Sequence, residues 1–163
     1  MFDDETYILA KNVIETALRN NTMLTIAESC TGGLVAALLT SVAGSSNVFD
    51  RGFVTYSNPA KHEMLGVSLD MLRDYGAVSS QVANAMAIGA LKNSSAKIAV
   101  SITGIAGPGG GSDEKPVGLV YFGLAKTGHI GRNFEYKFGD IGRDNVRQEA
   151  AKTALSLFLR AMQ

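Results

Sequence analysis

In Met23-Leu24-Thr25-Ile26-Ala27-Glu28-Ser29-Cys30-Thr31-Gly32-Gly33-Leu34-Val35-Ala36-Ala37-Leu38-Leu39-Thr40-Ser41-Val42, a short apolar run meets a small polar turn, and a second apolar run follows at helical spacing. Met23 to Ala27 has the length of a buried strand, while Leu34, Val35, Leu38 and Leu39 recur as one face of a helix. Strand, tight turn and helix start in succession place the Ser29 hydroxyl where first-turn N–H groups lack intrahelical partners. Two readings of Ser29 follow. As an N-cap its oxygen satisfies one orphan N–H. As a nucleophile it attacks, while the N–H groups of Cys30, Thr31, Gly32 and Gly33 hold an oxyanion or a phosphate. The stretch is not the Gly-x-Ser-x-Gly elbow, since Ala27 and Thr31 stand at the glycine places.

Outward from this unit the chain keeps an α/β rhythm. Ala10, Val13, Ile14, Ala17 and Leu18 predict an amphipathic helix whose acidic start suits the helix dipole. Gly52 to Tyr56 reads as a strand closed by the Asn58-Pro59 turn, followed by short helices over Ala60 to Leu65 and Leu69 to Tyr75. Ser79 is placed to cap a helix from Ser80 to Leu91. Lys97 to Ile102 predicts a strand, Val117 to Ala125 and Phe134 to Phe138 a hairpin around Thr127-Gly128, and about Arg143 to Met162 a last helix. The expected architecture is a three-layer α/β/α sandwich on a mixed, mostly parallel sheet.

The length of 163 residues suits one domain, expected to span 1–163. The 15 basic and 15 acidic side chains cancel, and no Lys/Arg cluster falls on a predicted helix face. Neither nucleic acid nor a membrane surface is therefore an expected partner. Cys30 is the sole cysteine, so no intrachain disulfide can form. Asp3, Asp4 and Glu5 stand where a signal peptide carries positive charge, and no apolar stretch has the length of a membrane span. A cytoplasmic location is expected. One cysteine and two separated histidines, His62 and His129, give no metal-ligand spacing, and no metal or cofactor is expected.

A serine nucleophile needs a base. His129 falls in the predicted hairpin turn, and nothing in the sequence sets an orienting carboxylate beside His62. Lys61, in Tyr56-Ser57-Asn58-Pro59-Ala60-Lys61, lies just past the carboxyl end of a strand, the edge where open α/β sheets bind ligands. A lysine whose pKa is lowered by burial can serve as base, with Tyr56 relaying or orienting the proton. The competing reading of Lys61 is a solvated surface charge.

The glycine-dense run Thr103 to Pro116 is open to two readings, an anion-binding nest and a flexible connection. It is neither a P-loop nor a dinucleotide fingerprint, because a strand rather than a helix follows it. Thr103 and Gly104, at a strand end, are suited to orient a substrate amide. Arg143 and Arg147 begin the last helix one turn apart, where cations oppose the dipole. Either they hold a substrate phosphate or they pair with Asp140, Asp144 or Glu149.

Taken together, Ala27 to Gly33, Gly52 to Asn58 with Lys61, Gly76-Ala77-Val78-Ser79, Ser101 to Pro108 and Lys115-Pro116-Val117-Gly118 resemble the CinA C-terminal family. The resemblance runs from about Tyr7 to Leu159 and is similar across these blocks to stand-alone nicotinamide-nucleotide amidases. It implies hydrolysis of the carboxamide of nicotinamide mononucleotide to nicotinate mononucleotide and ammonia. Ser29 would be nucleophile, Lys61 its base and Tyr56 a supporting hydroxyl. Thr31, Gly32, Gly33, Thr103, Gly104 and Gly107 would hold the substrate, and Arg143 or Arg147 its phosphate. The resemblance further implies a pyridine-nucleotide ligand and a homo-oligomer. Longer relatives carry an additional N-terminal domain, and activity housed there is not expected of this chain. The family's Gly-Asp-Arg is interrupted here as Gly139-Asp140-Ile141-Gly142-Arg143. Two alternatives remain at this stage: a non-enzymatic binding module for a nucleotide or a protein, and a Ser-Lys hydrolase of another amide. The penicillin-binding type is disfavoured because no Ser-x-x-Lys spacing occurs at Ser29.

Overall fold

A computed structural model describes residues 2–163. The elements run α1 (Asp4–Arg19), β1 (Leu24–Glu28), α2 (Leu34–Thr40), β2 (Phe49–Val54), α3 (Asn58–Leu65), α4 (Leu69–Tyr75), α5 (Ser80–Lys92), β3 (Ile98–Gly104), β4 (Leu119–Lys126), β5 (Arg132–Lys137) and α6 (Arg143–Ala161). The strands form one five-stranded sheet in the order β2-β1-β3-β4-β5. β1 pairs in parallel with β2 and β3, whereas β4 runs against both β3 and β5. β4 is thus the one reversed strand of a mixed sheet, as the hairpin reading expects.

Alternation along the strands decides what packs on each face. Ile98, Val100 and Ile102 of β3, with Leu24 and Ile26 of β1, join α1, α2 and α6 in the larger core. Ala27, Ala99 and Ala125 face the other way, into a smaller core with Val82, Met86, Ala87 and Ala90 of α5. Small residues on that face let α5 approach closely. The Ser101 hydroxyl donates to the Ala83 carbonyl and accepts from the Gly123 N–H, and a Cβ at Gly123 would run into the Ala83 carbonyl. Helices on both faces complete the three-layer α/β/α sandwich.

The termini of the elements follow local chemistry. The Asp3 carboxylate caps α1 by accepting from Thr6 N, and Ser79 caps α5 by accepting from Val82 N. β2 begins three residues earlier than its apolar pattern suggests, at Phe49, because pairing with β1 sets in from Leu24 opposite Phe49. As an edge strand β2 tolerates the polar Asp50 and Arg51, which hides it from a pattern-based reading. Among the described residues no helix is long and apolar enough to cross a membrane. Parallel pairing brings Glu28, Val54 and the end of β3 to one edge of the sheet, where the serine turn begins.

Candidate active site

The turn after β1 is built around Glu28, a residue that sequence reasoning passed over. Its fully buried carboxylate accepts from the N–H groups of Gly33 (3.1 Å), Val35 (3.1 Å) and Ala36 (2.9 Å). These are the orphan donors of α2, whose N-cap, Gly33, sits at φ +99° with no side-chain cap of its own. The capping reading of Ser29 is therefore corrected: a strand residue five positions upstream of Gly33 caps the helix. Capping rules search the residue adjoining the helix, so they do not look there.

With the cap supplied elsewhere, the Ser29 hydroxyl is free for another partner. Lys61 Nζ lies 3.0 Å from Ser29 Oγ, 2.9 Å from the Thr55 carbonyl oxygen and 3.4 Å from that of Tyr56. Ser57, as N-cap of α3, and Pro59 in its first turn set the helix that carries Lys61 inward. Lys61 is 1% exposed, which rules out the solvated-charge reading. Burial pushes its ammonium pKa below the ordinary lysine range. A neutral Lys61 that gives its two N–H bonds to the carbonyls would aim its lone pair at Ser29 Oγ.

The neighbouring side chains narrow the chemistry further. Burial, above all, pushes the Cys30 thiol up to about 12, so the residue next to Ser29 is an inert thiol. His62 is exposed and its Nδ1 lies 2.8 Å from the Val67 carbonyl oxygen, away from the pair. His129 is exposed in the β4–β5 turn, its Nδ1 3.0 Å from the Thr127 carbonyl oxygen. Among the described residues no group of three or more His, Cys, Asp or Glu side chains is placed to hold a metal ion.

Of the N–H groups expected to receive an anion, two are already engaged. Gly32 N donates to Ser29 O at 3.0 Å, and Gly33 N donates to Glu28. Those of Cys30 and Thr31 have no protein acceptor among the described residues. The anion-holding capacity of the turn thus rests on Cys30 and Thr31 rather than on all four.

Ser29, Lys61, Tyr56, Thr103, Gly104 and Arg143 border one cavity of about 260 Å³, together with Asn58, Ala77 and Val78. Thr31, Gly32, Gly33, Gly107 and Arg147 lie off its wall. Tyr56 is turned outward, and its hydroxyl accepts from Arg143 Nη2 at 3.1 Å; only its backbone carbonyl reaches Lys61. Arg143 Nη1 also donates to the Gly107 carbonyl at 2.8 Å. Arg147 instead reaches the back of the serine turn, Nε to Cys30 O at 3.2 Å and Nη2 to Thr31 O at 3.0 Å. Neither arginine pairs with Asp140, Asp144 or Glu149, so the ion-pair reading of both is corrected.

The Thr103 hydroxyl donates to Ala77 O at 2.8 Å, which ties the Ala77-Val78 segment to the strand end. A Cβ at Gly104 would stand 2.7 Å from Val120 Cγ2, and Gly107, at φ +81°, would set one 2.6 Å from Val117 Cγ1. Close packing against Val120 and Val117 therefore suffices to require both glycines. Asn58 borders the cavity although the sequence marked it only as part of a turn, and the Asn-Pro pair gives no signal beyond that.

A buried serine-lysine pair thus lies at the carboxyl edge of an open α/β sheet, the edge where proteins of this class bind ligands. The model of the CinA C-terminal domain matches residues 6–162, and the chain belongs to that family. It is 51% identical over 156 residues to the nicotinamide-nucleotide amidohydrolase PncC of Escherichia coli K12, covering 95% of this chain and 93% of the relative. It is 48% identical to a competence-damage inducible protein of Caldicellulosiruptor saccharolyticus over 98% of its own length, but spans only 38% of that longer relative. The crystal structure of the competence/damage inducible protein CihA from Agrobacterium tumefaciens superposes with a TM-score of 0.98 at 48% identity, covering 100% of this chain and 99% of that one.

Proposed function

We propose that this protein hydrolyses the carboxamide of nicotinamide mononucleotide to nicotinate mononucleotide and ammonia, with Ser29 as nucleophile and Lys61 as its base. The observation that carries the reading is the 3.0 Å approach of a 1%-exposed Lys61 to the Ser29 hydroxyl. Desolvating a lysine is costly, and a module that only binds has no need to set one against a serine. The pyridine-nucleotide substrate is inferred from the E. coli relative's name, which applies to a protein matched over nearly its whole length.

In the first step Ser29 Oγ attacks the carboxamide carbon as its proton passes to Lys61 Nζ. The negative charge on the carboxamide oxygen is met by the N–H group of Cys30, which borders the cavity, and by that of the adjoining Thr31. Collapse expels ammonia, which takes the proton back from Lys61, and leaves an ester on Ser29. Water then attacks that ester, giving a proton to Lys61, which returns one to the departing Ser29 oxygen; the nicotinate carboxylate is released. Thr103 and Gly104 border the amide end of the cavity. Arg143, on the same wall and with N–H groups to spare, meets the phosphate. Tyr56, through its hydroxyl, steadies Arg143.

Ammonia release from nicotinamide mononucleotide by the purified wild-type protein tests the reading directly. Ser29→Ala should abolish release while changing stability by no more than about 1 kcal/mol, since Ser29 caps no helix. Release by Ser29→Ala at the wild-type rate would exclude the nucleophile.

A further inference from the structure

The serine turn is gripped from two sides by charged side chains that stay off the cavity wall. Glu28 takes the N–H groups that lead into α2. From α6, more than one hundred residues later in the chain, Arg147 takes the carbonyls of Cys30 and Thr31. Those are the two residues whose N–H groups are left without an acceptor.

The peptide joining Cys30 to Thr31 is a rigid plane, with the carbonyl of the first residue and the N–H of the second pointing in opposite directions. Holding Cys30 O on the guanidinium therefore aims Thr31 N–H away from Arg147. The next plane is fixed at both ends, by Arg147 on Thr31 O and by the Gly32 N–H bond to Ser29 O. A positive donor on the Cys30 carbonyl also polarises that amide and strengthens its N–H as a donor. Geometry and polarisation act in the same sense.

We propose that Arg147 is a positioning residue for the oxyanion site: by fixing the Cys30 carbonyl it orients and sharpens the Thr31 N–H, and by fixing the Thr31 carbonyl it holds the plane that follows, so that the Thr31 N–H stands beside that of Cys30 to receive the developing negative charge. This assigns Arg147 a task different from phosphate binding, and it rests on the Ser29 reading of the reaction. Arginine is suited to the task because one planar fork meets two carbonyls, which an ammonium cannot do in the same geometry.

The test compares wild type, Arg147→Ala and Arg147→Lys in two reactions, deamidation of nicotinamide mononucleotide and acylation of Ser29 by p-nitrophenyl acetate. The ester needs only the nucleophile and the oxyanion site, so it reports on Arg147 whichever amide is the natural substrate. In both reactions kcat should fall roughly 100-fold in Arg147→Ala, the scale of a lost oxyanion donor, with KM within about threefold of wild type. Added guanidinium should restore a large part of the loss in Arg147→Ala and none in Arg147→Lys, a pattern that an unfolded variant cannot produce. A raised KM for the mononucleotide with unchanged kcat would overturn the proposal and make Arg147 a phosphate contact. Unchanged ester acylation, or a loss that guanidinium does not restore, would overturn it as well. A wild-type protein that takes the ester but leaves the mononucleotide intact would sink the amidase reading while leaving the Arg147 comparison in force.

Discussion

Two loops meet at the carboxyl edge of the sheet, and they are built on opposite principles. In the serine turn nearly every backbone group is assigned: Glu28 holds the helix side, Arg147 the carbonyl side, and the N–H groups of Cys30 and Thr31 are left over. In the glycine run the N–H groups of Gly109, Gly110 and Gly111 meet no acceptor among the described residues, and these glycines are exposed. That run is tied at its ends, by Arg143 on Gly107 O and by Lys115 Nζ on Tyr75 O at 2.7 Å. Its stretch from Pro108 onward borders a separate cavity of about 560 Å³ with Lys137 and Asp140, and only Thr103, Gly104 and Ala106 at its start border the cavity of Ser29. Glycine density alone is thus a poor marker of where chemistry sits. A turn whose backbone is held by charged side chains on both sides, with two adjacent N–H groups left over, is the better one.

If the contrast is sound, damage to the grip on the serine turn should cost most. Glu28→Ala would strand three N–H groups, one of them buried, and leave a cavity in place of a fully buried side chain, and we expect a loss of about 3 kcal/mol of folding stability in urea denaturation, together with the activity. A variant as stable as wild type would show that water replaces the carboxylate without penalty. A smaller effect is expected at Arg143, which joins the start of the glycine run to Tyr56. Arg143→Ala removes the latch on Gly107 and the charge facing the cavity, and should weaken the mononucleotide roughly tenfold or more while weakening the dephosphorylated riboside far less. Equal weakening of both ligands, measured by calorimetry, would make Arg143 a purely structural latch. The smallest effect belongs to the glycine run. A Cβ at Gly109 meets nothing within 4 Å, so Gly109→Ala should leave stability within about 0.5 kcal/mol and kcat unchanged. A substantial loss of kcat would bring the run into the site after all.

The strand-turn-helix unit could be read from local pattern because each element follows from spacing within about ten residues, and the same is true of the Ser79 cap and the β4–β5 hairpin. The approach of Lys61 to Ser29 could be anticipated because two parallel strands deliver their carboxyl ends to one edge. What stayed hidden depends on groups brought together only by the fold. Glu28 looks like an ordinary strand terminus until α2 folds back over it, and Arg147 looks like a dipole-opposed cation until α6 packs behind the turn. Nearness in sequence to Lys61 suggests a place for Tyr56 beside the proton path, whereas its hydroxyl turns outward to Arg143. The early start of β2 escaped notice because an edge strand need not alternate.

The central claim is that a desolvated Lys61 takes the proton from Ser29, and the pH dependence of kcat/KM for wild type beside Lys61→Arg tests it most directly. Burial lowers the lysine's pKa in the folded protein, so neutral Lys61 accumulates as pH rises at values below the ordinary lysine figure of about 10.4. Wild-type kcat/KM should climb with pH along a limb centred below that figure, because only the unprotonated amine accepts a proton. Lys61→Arg keeps the charge but gives up no proton in this range, so it should bind the mononucleotide with kcat reduced by roughly 1,000-fold or more and show no such limb. Near-normal turnover by Lys61→Arg, with the wild-type pH limb intact, would contradict the account.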